Sequence, residues 1–308
     1  MENRSSPLHP SYLELNDRGR LLPRVDKARY LLSSCMLCPH KCGVNRLEGE
    51  RGFCATGSRA RIASYGPHFG EEAPISGIHG SGTIFFGGCN MKCRFCQNYD
   101  ISQGQKGMEV DGSELAEIML ALQKKGCHNI NLVTPSHVVP QILEALYLAV
   151  SDGLAIPIVF NTGGYDSLDT LSLLDEVIDI YMPDMKYASP AHGMKYSGIQ
   201  NYPHFNRIAV REMYRQVGGL VLDEHGIARR GLLVRHLVLP SGISGGREIF
   251  RFLALEISPD TFINIMDQYF PCYRADEFPE INRRILRKEY RKSVDEAQRE
   301  GLERIFQG

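Results

Sequence analysis

Seven of the nine cysteines fall into two tight clusters, Cys35-x2-Cys38-x3-Cys42-x11-Cys54 and Cys89-x3-Cys93-x2-Cys96. The thiols are closely spaced and odd in total number, and no apolar leader precedes them. Such a pattern predicts metal or cluster ligation in a reducing, cytoplasmic compartment rather than a disulfide framework. Three thiolates on the short 89–96 loop match three irons of a cubane and leave the fourth iron open, whereas an electron-transfer cluster normally takes four cysteines. A zinc ion completed by a distant His or Asp is the competing reading. The 35–54 set is a full tetrahedral complement, which suits either a structural zinc or a second [4Fe–4S] cluster. Pro39, Gly43, Gly49 and Gly52 fit a turn-rich ligand loop, and four cysteines make His40 unnecessary as a ligand. Cys127 and Cys272 stand alone and read as ordinary buried thiols.

The elements that must position these clusters are legible in the apolar pattern. The first 34 residues or so are polar and irregular, an arm or a short helix. Residues 35–80 are rich in Gly and Cys with little periodicity, as in a small module that needs a metal to hold it together. From there on, short apolar runs at 83–88, 130–135, 157–162, 177–186, 232–240 and 262–269 alternate with helical patterns at 113–125, 137–151, 167–176, about 205–217 and 245–257. Continuous apolar runs alternating with helices predict βαβ units and a parallel sheet covered on both faces. Six units fall short of the eight of a closed barrel. The expectation is therefore an α/β fold, an open partial (β/α)6 TIM-like barrel, with a doubly wound sheet as the alternative. The chain divides into an arm and Cys-rich module (1–80), a barrel core (81–270) and a charged helical C-terminal segment (271–308).

Composition narrows the partners. Lys and Arg number 35 against 36 Asp and Glu, a net charge of −1. That balance carries no electrostatic footprint for nucleic acid and no polybasic patch for a membrane surface. The longest apolar stretches are far too short to span a bilayer.

The Cys-x3-Cys-x2-Cys run, with Phe95 before its last cysteine and Asn98 two residues after it, resembles radical S-adenosylmethionine (SAM) enzymes of the pyruvate formate-lyase activating type. The wider chain is similar to the PflX-like group of activase homologues. The similar stretches are Cys-Met-Leu-Cys-Pro-His-Lys-Cys-Gly-Val-Asn-Arg (35–46), Phe-Asn-Thr-Gly-Gly-Tyr (160–165), Tyr-Met-Pro-Asp-Met-Lys-Tyr (181–187), Arg-His-Leu-Val-Leu-Pro (235–240) and Asn-Ile-Met-Asp-Gln-Tyr (264–269). The resemblance covers roughly residues 80–270. It implies a barrel of the radical SAM type and an open iron that binds the amino and carboxylate groups of SAM. One electron would then break the S–C5′ bond, and the 5′-deoxyadenosyl radical would take a hydrogen atom from a substrate. It further implies a protein or peptide substrate, such as a glycine loop entering the barrel mouth, and a flavodoxin or ferredoxin as electron donor.

Under this resemblance the strand ends supply the candidate cofactor contacts. Asn98 belongs to the cysteine motif. The second strand ends Thr134-Pro135-Ser136-His137, where radical SAM enzymes often carry Gly-Gly-Glu to receive the SAM amino group; backbone carbonyls or the Thr134 and Ser136 hydroxyls are the replacements. Ser136 is equally an N-cap for the following helix. Asn161 interrupts an apolar strand and needs a partner, whether ligand or structural. Asp184 and Lys186 share a face by strand parity and would point together into the mouth, toward ribose hydroxyls and the SAM carboxylate. Parity allows only one of Arg235 and His236 to face inward, and the expectation falls on His236, which shares a face with Val234 and Val238. Gln268, on a face with Asn264 and Met266, would reach the adenine or the substrate. No catalytic side chain is assigned. Other expectations are radical SAM modification of a small molecule or RNA, the latter opposed by the charge balance, and a non-catalytic iron–sulfur or zinc electron-transfer protein, opposed by the missing fourth cysteine.

Overall fold

In the computed structural model, which describes residues 9–104 and 106–307, the six apolar runs each hold a strand of one large sheet. The strands are β1 (Ala60–His68), β2 (Ser81–Phe86), β3 (Met108–Val110), β4 (Ile130–Val133), β5 (Ile158–Thr162), β6 (Ile180–Pro183), β7 (Val221–Leu222), β8 (Ala228–Leu237), β9 (Phe262–Met266) and β10 (Ile305–Gln307). Their order is β10-β9-β8-β6-β5-β4-β2-β1-β3, with β7 paired to β8. From β2 to β10 neighbouring strands of this path run parallel, while β1 pairs antiparallel with β2 and β3. The sheet is open, a partial barrel of α/β type.

Period-two alternation sorts the strand residues into two layers. Ile84, Phe86, Ile130, Leu132, Ile158, Phe160, Tyr181, Leu232, Val234, Ile263 and Ile265 pack outward against the helices. The intervening residues Val159, Ile180, Met182 and Leu233 face the lumen, where they surround Ile75. Ile75 lies on the helical turn Ala73–Ser76, within the 69–80 segment that joins β1 to β2, so a connection plugs the barrel. Local signals fix the helices. Asp111 and Glu114 form a reciprocal capping box on Gly112–Lys124, and the Ser167 hydroxyl caps Leu168–Leu174.

Three expectations shift. The arm is two helices, Ser11–Asp17 and Leu21–Tyr30, seated on the barrel by Tyr12, whose hydroxyl donates to Ile156 O at 2.9 Å; the first eight residues of that arm lie outside the described residues. Residues 60–68 of the expected module are a strand of the main sheet, because their alternation is broken by Gly66 and Pro67 yet still pairs along β2. The C-terminal segment is helical over Arg287–Arg299 and then adds β10 alongside β9. Among the described residues no helix is long and apolar enough to cross a membrane.

Ile75 is fully buried in the lumen. Ile75→Ala is expected to cost roughly 2–5 kcal/mol, read as a lower denaturant midpoint at unchanged m-value; a loss below about 1 kcal/mol would mean that the plug is not packed as described.

Candidate active site

Cys89, Cys93 and Cys96 lie on the loop that follows β2, at the C-terminal end of the parallel strands where α/β barrels place their chemistry. The loop is clamped by backbone pairing. Lys92 N–H donates to Ser197 O at 3.2 Å, Arg94 N–H to Tyr196 O at 2.8 Å, and Arg274 N–H to Arg94 O at 2.9 Å. Around it Met91, Phe95, Tyr165, Tyr187, Tyr196, Tyr202 and Tyr269 form one buried cluster, an aromatic wall that excludes water. Each sulfur has a hydrogen-bond partner: Met91 N–H donates to Cys89 Sγ (3.3 Å), Ser197 Oγ to Cys93 Sγ (3.1 Å), and Ser102 Oγ lies 3.3 Å from Cys96 Sγ. Burial, followed by the neighbouring Cys93, pushes the Cys89 thiol well up; burial likewise raises Cys93, against the opposing pull of Lys186.

These sulfurs fit a cluster. Buried thiols of raised pKa become thiolates only beside a strong positive charge, and donors aimed at sulfur are what cluster thiolates receive.

Asp184 and Lys186 meet beside the loop, with Nζ 2.5 Å from Oδ2. Burial works against the Lys186 ammonium, yet Asp184 and the Cys93 thiol together hold its pKa above the ordinary value. The turn that carries the pair is fixed from behind. Asn206 Nδ2 donates to the carbonyls of Gly164 and Asp184, both at 3.0 Å, and the Tyr202 hydroxyl accepts from Lys186 N–H at 3.1 Å. Gly164 sits at φ +73°, where a Cβ would fall 2.4 Å from Asp184 O, so only glycine lets the two strand ends approach.

The other expected residues are not equally placed. Asn161 lies on the lumen face and is 8% exposed. Thr134 directly follows β4 at φ +61°, a strained position for a β-branched residue. Ser136 is not an N-cap, since its helix starts at Val139; its hydroxyl lies 3.0 Å from Thr162 Oγ1, which donates to Asp166 at 2.7 Å. Asn98 and Gln268 are exposed at the rim, and Gln268 O accepts from Gln97 Nε2 at 3.3 Å. The preference for His236 over Arg235 is corrected. His236 turns outward with Val234, edge-on to Phe250, and its Nδ1 bonds Met185 O at 2.8 Å. Arg235 faces the lumen, 3.0 Å from Glu71 and 3.7 Å from Asp184.

The first cysteine cluster abuts this loop. Cys35, Cys38, Cys42 and Cys54 line one small cavity with Arg46, Phe53 and His137. Burial pushes the Cys38 thiol up to about 12, against a backbone hydrogen bond that lowers it. Gly88 sits at φ +84°, and a Cβ there would fall 2.8 Å from Cys54 O, so the module rests directly on the turn before Cys89. Arg46 is 1% exposed; it donates to Gly57 O and, at 2.8 Å, to His137 O, and lies 3.9 Å from Cys35 Sγ. His137 Nε2 in turn bonds Gly87 O at 3.0 Å. Sequence reasoning missed Arg46, Asp166 and the Glu71-Glu72 pair. The available signals were a charged residue within the first Cys run and two adjacent acids in an otherwise apolar connection.

Comparison with known proteins follows this geometry. A family model described as the Radical SAM superfamily matches residues 83–219. The uncharacterized protein MJ0674 of Methanocaldococcus jannaschii is 33% identical over 294 residues, 92% of this chain and 80% of that one. A radical SAM methyltransferase from Sphaerobacter thermophilus aligns over 73% of this chain and 65% of its own at 12% identity and a TM-score of 0.49. Streptococcus suis SuiB bound to its precursor peptide SuiA aligns over 71% of this chain at 11% identity and a TM-score of 0.48, and the chain spans about half its length, 46%.

Asp166 offers a pH test. Burial raises its carboxyl to about 6 from 3.8, against the hydrogen bonds of Ser136 and Thr162. Between those values the native state keeps a proton that the unfolded chain releases, so this contribution to stability is lost as pH rises. Asp166→Asn removes it and is expected to gain on the order of 2–3 kcal/mol relative to the parent from pH 4 to pH 7. Urea unfolding of both proteins measures the difference, in which other titrating groups cancel; a pH-independent difference would refute the buried ionisable Asp166.

Proposed function

The chain belongs to the radical SAM superfamily, and from that premise we propose that a [4Fe–4S] cluster held by Cys89, Cys93 and Cys96 supplies the electron for reductive cleavage of SAM to a 5′-deoxyadenosyl radical, which acts on a protein or peptide. The observation that carries this reading is three hydrogen-bonded thiols, Cys93 buried and Cys89 and Cys96 half-buried, beside a charged Asp184–Lys186 pair, with no fourth cysteine among them. Lys186 would meet the carboxylate of SAM and Asp184 its ribose hydroxyls, both held still by Tyr202 and Asn206. Asn161, Thr134 and Ser136 would line the same mouth, and Asn98 and Gln268 its rim. His236, on the helix side, is left out of this set. The aromatic wall keeps water from a reactive radical. The open rim, with exposed Gln97, Asn98 and Gln268, leaves room for a loop of chain. An activase-like attack on a glycine loop, as in the PflX-like group, rests on the sequence resemblance, as does a flavodoxin or ferredoxin donor; a cytoplasmic setting rests on the cysteine pattern.

The 35–54 cysteines would hold a second [4Fe–4S] cluster, and Arg46 supports that assignment. A fully buried guanidinium needs a counter-charge, and among the described residues no carboxylate pairs with Arg46. Four metal-bound thiolates next to it would supply that negative charge.

Two measurements follow. Anaerobically reconstituted protein with a reductant is expected to form 5′-deoxyadenosine from SAM, and Cys93→Ala to form none; product from Cys93→Ala at the parent rate would overturn the ligand assignment. The parent is expected to hold about eight iron atoms per chain and Cys35→Ala about four; about four irons plus a zinc in the parent would overturn the second cluster.

A further inference from the structure

The lumen below Asp184 carries more acceptors than the protein supplies with donors. Glu71 and Glu72, on the plug between β1 and β2, reach across it. Glu71 accepts from Asn131 Nδ2 at 3.1 Å and from Arg235 at 3.0 Å, and Glu72 Oε1 accepts from Asn264 Nδ2 at 2.6 Å. Glu72 Oε2, Asn131 Oδ1, Asn264 Oδ1 and Asp184 Oδ1 are buried acceptors with no hydrogen-bond partner among the described residues, and the donor Arg235 Nε, 3.7 Å from Glu72 Oε1 and from Asp184 Oδ1, makes no hydrogen bond either. Glu72, Asn131 and Asn264 are 4%, 0% and 7% exposed, so bulk water does not serve them freely. Charge shows the same imbalance. Lys186 balances Asp184, but Arg235 alone balances both Glu71 and Glu72, which leaves one formal negative charge in the floor.

A buried excess carboxylate surrounded by acceptors keeps its charge only beside a cation that donates and does not accept. Ammonium and guanidinium groups have that inventory; water donates but also presents lone pairs and brings no charge. Resting on the reading of the mouth as the SAM site, we propose that the floor binds a cationic group of the substrate, a primary ammonium or a guanidinium, with Glu72 as its counter-charge and Asn131 and Asn264 as its acceptors. Glu71 acts as a positioning residue that keeps Arg235 to one side. The substrate thus enters with its basic end deep and the rest of its body toward the cysteine loop. An anionic or purely apolar substrate would leave the floor uncompensated.

The test is calorimetric titration of the reconstituted holoprotein with butylammonium, Nα-acetyl-lysine amide and butyrate, each with and without SAM. Both cations are expected to bind beside SAM, and butyrate not to bind. Tighter binding of the lysine derivative would place the group on a polypeptide, and tighter butylammonium on a small amine; either supports the cation site. Glu72→Gln is expected to weaken the cations on the order of tenfold or more while SAM affinity and cluster absorbance stay unchanged. If that variant does not fold, Glu71→Gln removes the same excess charge and is expected to act in the same direction. Equal binding of butyrate, indifference to both variants, or competition between the cations and SAM would overturn the proposal. Cation binding that persists where SAM fails to bind would count against the mouth reading alone.

Discussion

A charge inside the aromatic wall persists only beside its opposite, and the arrangement of the barrel mouth follows from that constraint. Burial keeps Cys89 and Cys93 above their ordinary thiol range. Lys186 and the hydrogen bonds from Met91 N–H and the Ser197 hydroxyl oppose this from the protein side, and Lys186 is already shared with Asp184. A multiply charged metal centre would supply the positive charge that the Cys89 and Cys93 thiolates lack. Asp184, Arg235, Glu71 and Glu72 extend the same logic downward as a ladder of ion pairs through the lumen, each step within 4 Å of the next. Tyr202 and Asn206 hold the upper end by bonding backbone rather than charge, which fixes geometry without adding to the electrostatic balance.

The N-terminal module belongs to the same system. Gly88 accepts the close approach of Cys54 O, and Arg46 bridges the module to His137, whose ring holds the Gly87 carbonyl. The turn before Cys89 is thus pinned from two directions. A change in charge among the four module cysteines would be felt first at Arg46 and then at this turn, through a contiguous chain of hydrogen bonds.

The parallel strands were legible because continuous apolar runs mark sheets covered on both faces, and the Asp184-x-Lys186 pair was legible from parity alone. Parity also grouped His236 with Val234 and Val238, but it cannot say which face is inward; those valines pack on helices, so Arg235 and not His236 turns to the lumen. β1 and β3 escaped notice because Gly66 and Pro67 break the pattern and β3 is only three residues long. The plug was invisible for a different reason. Glu71 and Glu72 sit in a connection, and nothing local signals that a connection will thread a barrel; only the strand order does. Asp166 likewise drew no notice, its partners being Thr162 at the end of β5 and, through it, Ser136 in the turn after β4.

The central claim, an iron that stays open beside Cys89, Cys93 and Cys96, is tested most directly by electron paramagnetic resonance of the reduced protein before and after SAM is added, with Cys35→Ala removing any signal from the N-terminal set. The account predicts a [4Fe–4S] signal whose g-values shift when SAM binds and which vanishes when Cys93 is also replaced by Ala. A signal unchanged by saturating SAM would contradict it.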